Sequence, residues 1–213
     1  MTRRERLARA RLYFVTDIRP DLEHLVRSAL EGGADMVQLR DKQARDGELL
    51  DAAAHLRRLC DQHRALLWLN DRPDLALAAR ADGVHVGQDD MPPAAAREQV
   101  GEELLVGLST HAPEQLDAAL EEGVADELSV GPVSETPTKP GRPAAGLEYV
   151  RYAARRAAGL PWFAIGGIDL ANVGDVVEAG AERVAVVRAI RDASDPRVAA
   201  AALRAALGDG LGR

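Results

Sequence analysis

Apolar residues fall into eight short runs: Leu12–Thr16, Met36–Arg40, Leu66–Asn70, Gly83–Gly87, Leu105–Ser109, Glu127–Gly131, Trp162–Ile165 and Arg183–Val187. Runs of this length, rich in Leu, Val and Ile, suit strands buried on both faces. Between them lie segments whose apolar residues recur at helical spacing, such as LEHLVRSALEGGAD, GELLDAAAHLRRLCDQH, PEQLDAALEEGVAD and PRVAAAALRAALG. Three of the helical segments end alike, in EGGADMV, EEGVADEL and EAGAERV. In each, a Gly stops the helix and a short turn feeds the next strand. Strands alternating with helices predict a parallel sheet. Eight such units in 213 residues predict a single-domain α/β chain, a closed (β/α)8 TIM barrel with the barrel proper over about residues 12–207. The alternative is an open, doubly wound sheet. It is weakened because no GxGxxG follows the first run.

In a barrel the chemistry sits just past the C-terminal ends of the strands. Polar and reactive residues gather there: Gln38, Arg40 and Lys42 after the second run; Asn70 and Asp71 after the third; His85, Gln88, Asp89 and Asp90 on and after the fourth; Ser109, Thr110 and His111 after the fifth. The opposite turns carry mostly Gly, Ala, Asp and Glu. In MVQLRDK, Gln38, Arg40 and Lys42 stand at i, i+2 and i+4, which on a strand places them on one face. An amide beside two cations suits a polyanion that carries a polar ring. Asp71 and Asp90, on neighbouring strand ends, suit a hard cation such as Mg2+, which takes one or two carboxylates and completes its shell with phosphate and water. The competing reading gives the two aspartates separate turn and helix-capping roles.

After the sixth run comes the longest irregular stretch, GPVSETPTKPGRPAAG, with Thr136, Thr138 and Lys139 as phosphate donors. It is expected to close over bound substrate between Ser134 and Arg142. After the seventh, Gly166 and Gly167 in IGGI let backbone N–H groups approach an anion. Arg188 ends the eighth run. His85 reads equally as structural or functional, and His111 is a candidate acid/base. No GxSxG accompanies the Ser, His and Asp residues, so a hydrolase triad is not expected.

Net charge is −7, from 27 basic and 34 acidic residues, and hydrophobic residues make up 46%. This excludes a general nucleic-acid or membrane-surface binder but leaves room for a local cationic pocket. Cys60 is the only cysteine, so neither a disulfide framework nor a thiolate metal cluster forms. The basic N-terminus lacks the apolar region of a signal peptide, and no run is long enough to span a membrane. A cytoplasmic protein is expected. The oligomeric state, a homo-oligomer included, is left open.

VQLRDK, LWLNDRPDLA, DGVHVGQDDMP, GLSTH, GPVSETPTKPG and FAIGGI, in this order and spacing, resemble the thiamine-phosphate synthase family from about Leu12 to Leu207. The resemblance implies a (β/α)8 barrel that joins 4-amino-2-methyl-5-hydroxymethylpyrimidine diphosphate to a thiazole phosphate, giving thiamine phosphate and pyrophosphate. It implies that Gln38 holds the aminopyrimidine and that His85 lines the pyrimidine side. Arg40, Lys42, Asn70, Ser109 and Lys139 would bind the diphosphate, with Arg40, Lys42, Ser109 and Lys139 catalytic. Asp71 and Asp90 would bind Mg2+, and Thr136, Thr138 and the backbone at Gly167 the thiazole phosphate. Two features depart from the family pattern. Arg188 stands where many relatives carry a small serine, and it either adds a phosphate contact or turns away. DELSVGPVSE lacks the aromatic often found near Gly-Pro. The competing functions are a thiazole tautomerase of the same superfamily, with His111 as acid/base, and a non-enzymatic thiamine-phosphate-binding barrel. Neither needs both the Gln38–Arg40–Lys42 set and the Asp71/Asp90 pair.

Overall fold

The computed structural model describes residues 1–135 and 143–208. In chain order the elements are α1 (Arg3–Arg9), β1 (Leu12–Thr16), α2 (Leu22–Glu31), β2 (Met36–Leu39), α3 (Asp46–His63), β3 (Leu66–Asn70), α4 (Pro73–Ala78), β4 (Gly83–Val86), α5 (Pro93–Val100), β5 (Leu105–Thr110), α6 (Pro113–Glu122), β6 (Glu127–Val130), α7 (Gly146–Arg156), β7 (Trp162–Ile165), α8 (Val173–Glu178), β8 (Val184–Val186), α9 (Arg188–Arg191) and α10 (Pro196–Ala206). The eight strands pair in parallel and in sequence order, and β8 closes back on β1. This is the (β/α)8 barrel that the alternation of runs predicted.

Alternation along each strand divides the apolar residues into two layers. Phe14, Val37, Leu67, Val84, Val106, Leu128 and Ala164 face outward and pack on the helices. Tyr13, Met36, Leu66, Trp68, Leu105, Phe163 and Ala185 fill the barrel interior. Tyr13 meets Phe163 edge-on at 5.3 Å between ring centroids, and Trp68 at 6.1 Å. Burying each such side chain stabilises the fold by about 1.5–3 kcal/mol.

Aspartates in the turns that feed β2, β4 and β6 hold the N-terminal rim together. Asp35 accepts from Leu12 N at 3.0 Å, Asp82 from Leu67 N at 2.9 Å and Asp126 from Val106 N at 2.9 Å. Each carboxylate thereby ties its own turn to the preceding strand. The glycines of the three turns that share the repeated signal, Gly33, Gly123 and Gly180, take positive φ, as a helix stop requires.

Two helices were not legible as periodic segments. Helix α1 buries Leu7 beneath the barrel interior and is held there by charge. Arg3 and Arg6 reach Asp82 at 3.0 and 2.8 Å, and Arg4 reaches Asp126 at 3.0 Å. Only one of its residues is buried, so it shows no apolar stripe. Helix α9 is a four-residue turn at the end of β8. No helix among the described residues is long and apolar enough to cross a membrane.

Candidate active site

Strand β2 stops at Leu39, so the expected strand through Arg40 is too long. Arg40 and Lys42 therefore stand on the turn beyond it rather than on one strand face with Gln38. The Arg40 backbone N–H still donates to Thr16 O at 2.8 Å, holding the turn against β1. From that turn Lys42 Nζ reaches Asp71 Oδ2 at 2.7 Å and Asp90 Oδ1 at 3.6 Å. One cation thus joins two carboxylates that lie beyond β3 and β4. Asp71 is fixed from behind, its N–H donating to His85 O at 2.8 Å, and it holds a left-handed φ of 62°. Such a conformation is uncommon for a non-glycine residue and clusters at functional sites. Asp90 Oδ2 accepts from Gly87 N at 3.0 Å. A β-carbon on Gly87 would lie 2.7 Å from that oxygen, so a side chain there would displace the carboxylate. Helix α5 receives no side-chain cap, so neither Asp89 nor Asp90 caps it, while Asp71 does stand in the turn after β3.

The electrostatics of the trio follow from this geometry. Burial pushes the Asp71 carboxyl up, Asp90 adds to the rise, and Lys42 opposes it. Burial works the same way on Asp90, but its hydrogen bond to Asp71 and the charge of Lys42 hold it below the usual range. The hydrogen bond to Asp71 raises Lys42 in turn. Asp71 is the weaker acid of the pair.

Below this rim, polar side chains line the top of the barrel interior. Gln38 Nε2 donates to Tyr13 Oη at 2.6 Å, and Gln38 is only 4% exposed. His85, on β4, stands between two partners. Its Nδ1 is 2.6 Å from Glu127 Oε1, and its Nε2 is 2.9 Å from Ser109 Oγ. Gln88 Nε2 donates to Ser109 O at 2.8 Å. Asn70 is the register partner of His85 and places its side chain at the same level.

A cavity of about 320 Å³ opens beside this layer at the ends of β5 to β8. Ser109, His111, Gly131, Gly166, Gly167 and Arg188 are among its lining residues. The IGGI turn is tightly built. Gly166 and Gly167 have φ of 101° and 67°, and β-carbons there would lie 2.4 Å from Pro132 and 2.8 Å from Ser134. Val133 N and Ser134 N donate to Ile165 O and Gly166 O, both at 2.9 Å. The segment after β6 is thereby docked on the turn after β7. His111 Nδ1 lies 2.7 Å from Gly131 O.

The family model described as thiamine monophosphate synthase matches residues 12–190. The chain belongs to the thiamine monophosphate synthase family. A thiamine-phosphate synthase of Saccharopolyspora erythraea is 53% identical, with 96% of each chain covered. One of Thermus thermophilus is 54% identical over 91% of this chain and 95% of its own. Among solved structures, a thiamine phosphate pyrophosphorylase from Pyrococcus furiosus superposes with a TM-score of 0.87 at 36% identity, covering 98% of this chain and 99% of that one.

Within this family member, Lys42, Asp71 and Asp90 converge at one part of the rim. Gln38, His85 and Ser109 line the polar layer, and Ser109, Gly167 and Arg188 share the cavity wall. Arg188 is among the residues that line the cavity. Thr136, Thr138 and Lys139, with most of the expected closing loop, lie outside the described residues. Sequence reasoning missed Glu127 and Tyr13 as partners of site residues. The available signal was an acidic residue opening an otherwise apolar strand, in ELSV.

Proposed function

We propose that this thiamine-phosphate synthase family member joins the pyrimidine diphosphate to the thiazole phosphate by a dissociative, Mg2+-assisted displacement. The bond between the exocyclic carbon and the diphosphate oxygen breaks first, and its electron pair leaves with the diphosphate. The electron-rich aminopyrimidine stabilises the cation left behind. The thiazole nitrogen then supplies the pair that forms the new C–N bond, giving thiamine phosphate and pyrophosphate. The protein supplies no nucleophile. Its task is to neutralise the leaving group, align the two rings and exclude water.

The observation that carries this reading is the convergence of Lys42 with Asp71 and Asp90 beyond β2, β3 and β4, on the same barrel rim whose β5 to β8 ends carry the cavity that Gly167 and Arg188 line. The two carboxylates offer hard oxygens and are already gathered round one positive centre, which suits Mg2+. Among the described residues no group of three or more His, Cys, Asp and Glu side chains surrounds a common point, so the ion would have to take the rest of its shell from phosphate and water. Asp71 and Asp90 would hold the ion, and when bound it supplies charge neutralisation to the diphosphate. Lys42, Arg40 and the Ser109 hydroxyl face the same leaving group. Gln38 orients the aminopyrimidine while Tyr13 holds its amide. Gly167 and Arg188 receive the thiazole phosphate. We assign Lys139 to the diphosphate and Thr136 and Thr138 to the thiazole phosphate by their place in the motif. A cytoplasmic location suits small phosphorylated substrates and a single reduced thiol.

The test is release of pyrophosphate and formation of thiamine phosphate from both substrates, with and without Mg2+. No pyrophosphate with both substrates and Mg2+ present would overturn the reading. Undiminished turnover in excess chelator would remove the metal from it.

A further inference from the structure

Three residues on adjacent strands share one level of the barrel. His85 on β4 is in register with Gly107 on β5, and Gly107 with Glu127 on β6. Side chains two strands apart are separated by about 10 Å of sheet and do not normally meet. Here they do, because the residue between them has no side chain. A β-carbon on Gly107 would lie 2.2 Å from Glu127 Oε1 and 2.6 Å from His85 Nδ1. The glycine is the gap through which the carboxyl reaches the ring.

Glu127 is 0% exposed. Burying a carboxyl in a mostly apolar interior is costly unless it is paired. Its ion-pair partner among the described residues is His85, and its Oε2 has no hydrogen-bond partner there. Tyr13 lies close enough that the carboxyl, after burial, helps push the phenol well above its usual range, so Tyr13 offers no compensating charge. A group placed at this cost, with half of its hydrogen-bonding capacity unused, has one direct contact to account for it. That contact is the ring that also touches Ser109.

Resting on the function proposed above, we propose that Glu127 is a positioning residue for the reaction. Through Nδ1 it fixes the plane and tautomer of His85, so that Nε2 accepts from Ser109 Oγ and holds that side chain in one rotamer at the end of β5. A histidine whose second nitrogen is bound to a carboxylate has its ring and tautomer set by that bond. Ser109 is on the cavity wall and its hydroxyl would otherwise rotate freely. Gly107 is the structural condition for the chain Glu127–His85–Ser109.

Glu127→Met removes the contact at similar volume, and Glu127→Gln keeps a hydrogen-bonding group of the same shape. Both are measured alone and with Ser109→Ala, for kcat and for KM of each substrate. In the Ser109 background Glu127→Met lowers kcat by about 10- to 100-fold, the usual scale for losing such a partner, and leaves KM for the thiazole phosphate unchanged. Glu127→Gln recovers most of the loss. In the Ser109→Ala background Glu127→Met changes kcat less than about twofold, because the group it acts through is gone. Equal losses in both backgrounds, or wild-type kcat for Glu127→Met, overturn the proposal. The ring itself provides an independent measurement. The 15N signals of His85, one of five histidines and assigned by their loss in His85→Asn, report a single tautomer in the unmutated protein and a mixture in Glu127→Met. The same tautomer population in both proteins also overturns the proposal. An unmutated enzyme that releases no pyrophosphate refutes the functional reading instead, and the tautomer measurement still decides whether Glu127 sets the ring.

Discussion

Replacing Lys42 by Ala separates a catalytic role from a structural one, because the two predict effects of different size. The lysine side chain is 48% exposed and its nearer partner, Asp71, is 20% exposed. Solvent screens such a pair, so its contribution to folding is about 0–1 kcal/mol, and the melting temperature should fall by only a few degrees. Charge that grows on a leaving diphosphate is a different matter, since a cation aimed at it is worth about 2–4 kcal/mol in the transition state. The exposure of Lys42 argues for the lower end, and about 2 kcal/mol corresponds to a turnover about 30-fold slower. The assay is continuous pyrophosphate release with each substrate varied in turn, beside a thermal melt of the same sample. The expected pattern is a loss confined to kcat and to KM for the pyrimidine diphosphate, an unchanged KM for the thiazole phosphate, and a nearly unchanged melt. Wild-type kinetics would refute the assignment of Lys42 to the leaving group. A melt lowered by 10 °C or more with proportionate loss of activity would show that the lysine serves the fold by holding Asp71 and Asp90 together.

Three other outcomes are expected. Asp71→Ala or Asp90→Ala should lower turnover by about 10²-fold or more without loss of fold, as should excess chelator on the unmutated protein; full activity in chelator would exclude the metal role. Asp82→Asn should destabilise the barrel by about 3 kcal/mol, because Arg3, Arg6 and Arg57 converge on that buried carboxylate. Burial opposes ionisation of Asp82, but Arg57 outweighs it and holds the carboxyl below the usual range. Its contribution is therefore fully present above the unfolded value of about 4 and is lost as pH falls through the lower folded value. Urea midpoints of Asp82→Asn and the unmutated protein should converge in that acid window, and a constant difference down to acid pH would contradict the linkage. Cys60 is buried, with its thiol pushed up to about 12 by that burial, so a thiol reagent at pH 8 should label it only after denaturation. Rapid labelling of the folded protein would show that helix α3 opens.

The eight apolar runs and the helical spacing between them were enough to determine the barrel. In a parallel sheet covered on both faces the strands are largely apolar, and three of the repeats carry the same stop signal. The rim residues were legible for a similar reason, since the apolar runs before Lys42 and Asp71 and around Ser109 give way to polar residues within a few positions. Helix α1 was hidden because charge, not an apolar stripe, holds it in place. The end of β2 was misplaced because nothing in QLRDK distinguishes a strand from the turn that leaves it. Only the tertiary structure decided which polar residues meet. Parallel pairing of β2, β3 and β4 side by side brings Lys42 to two carboxylates that follow the other strands, and the register of β4, β5 and β6 aligns His85, Gly107 and Glu127. A register is a relation between strands far apart in the chain, fixed by the packing of both barrel layers at once. No local pattern around Glu127 could have named His85 as its partner.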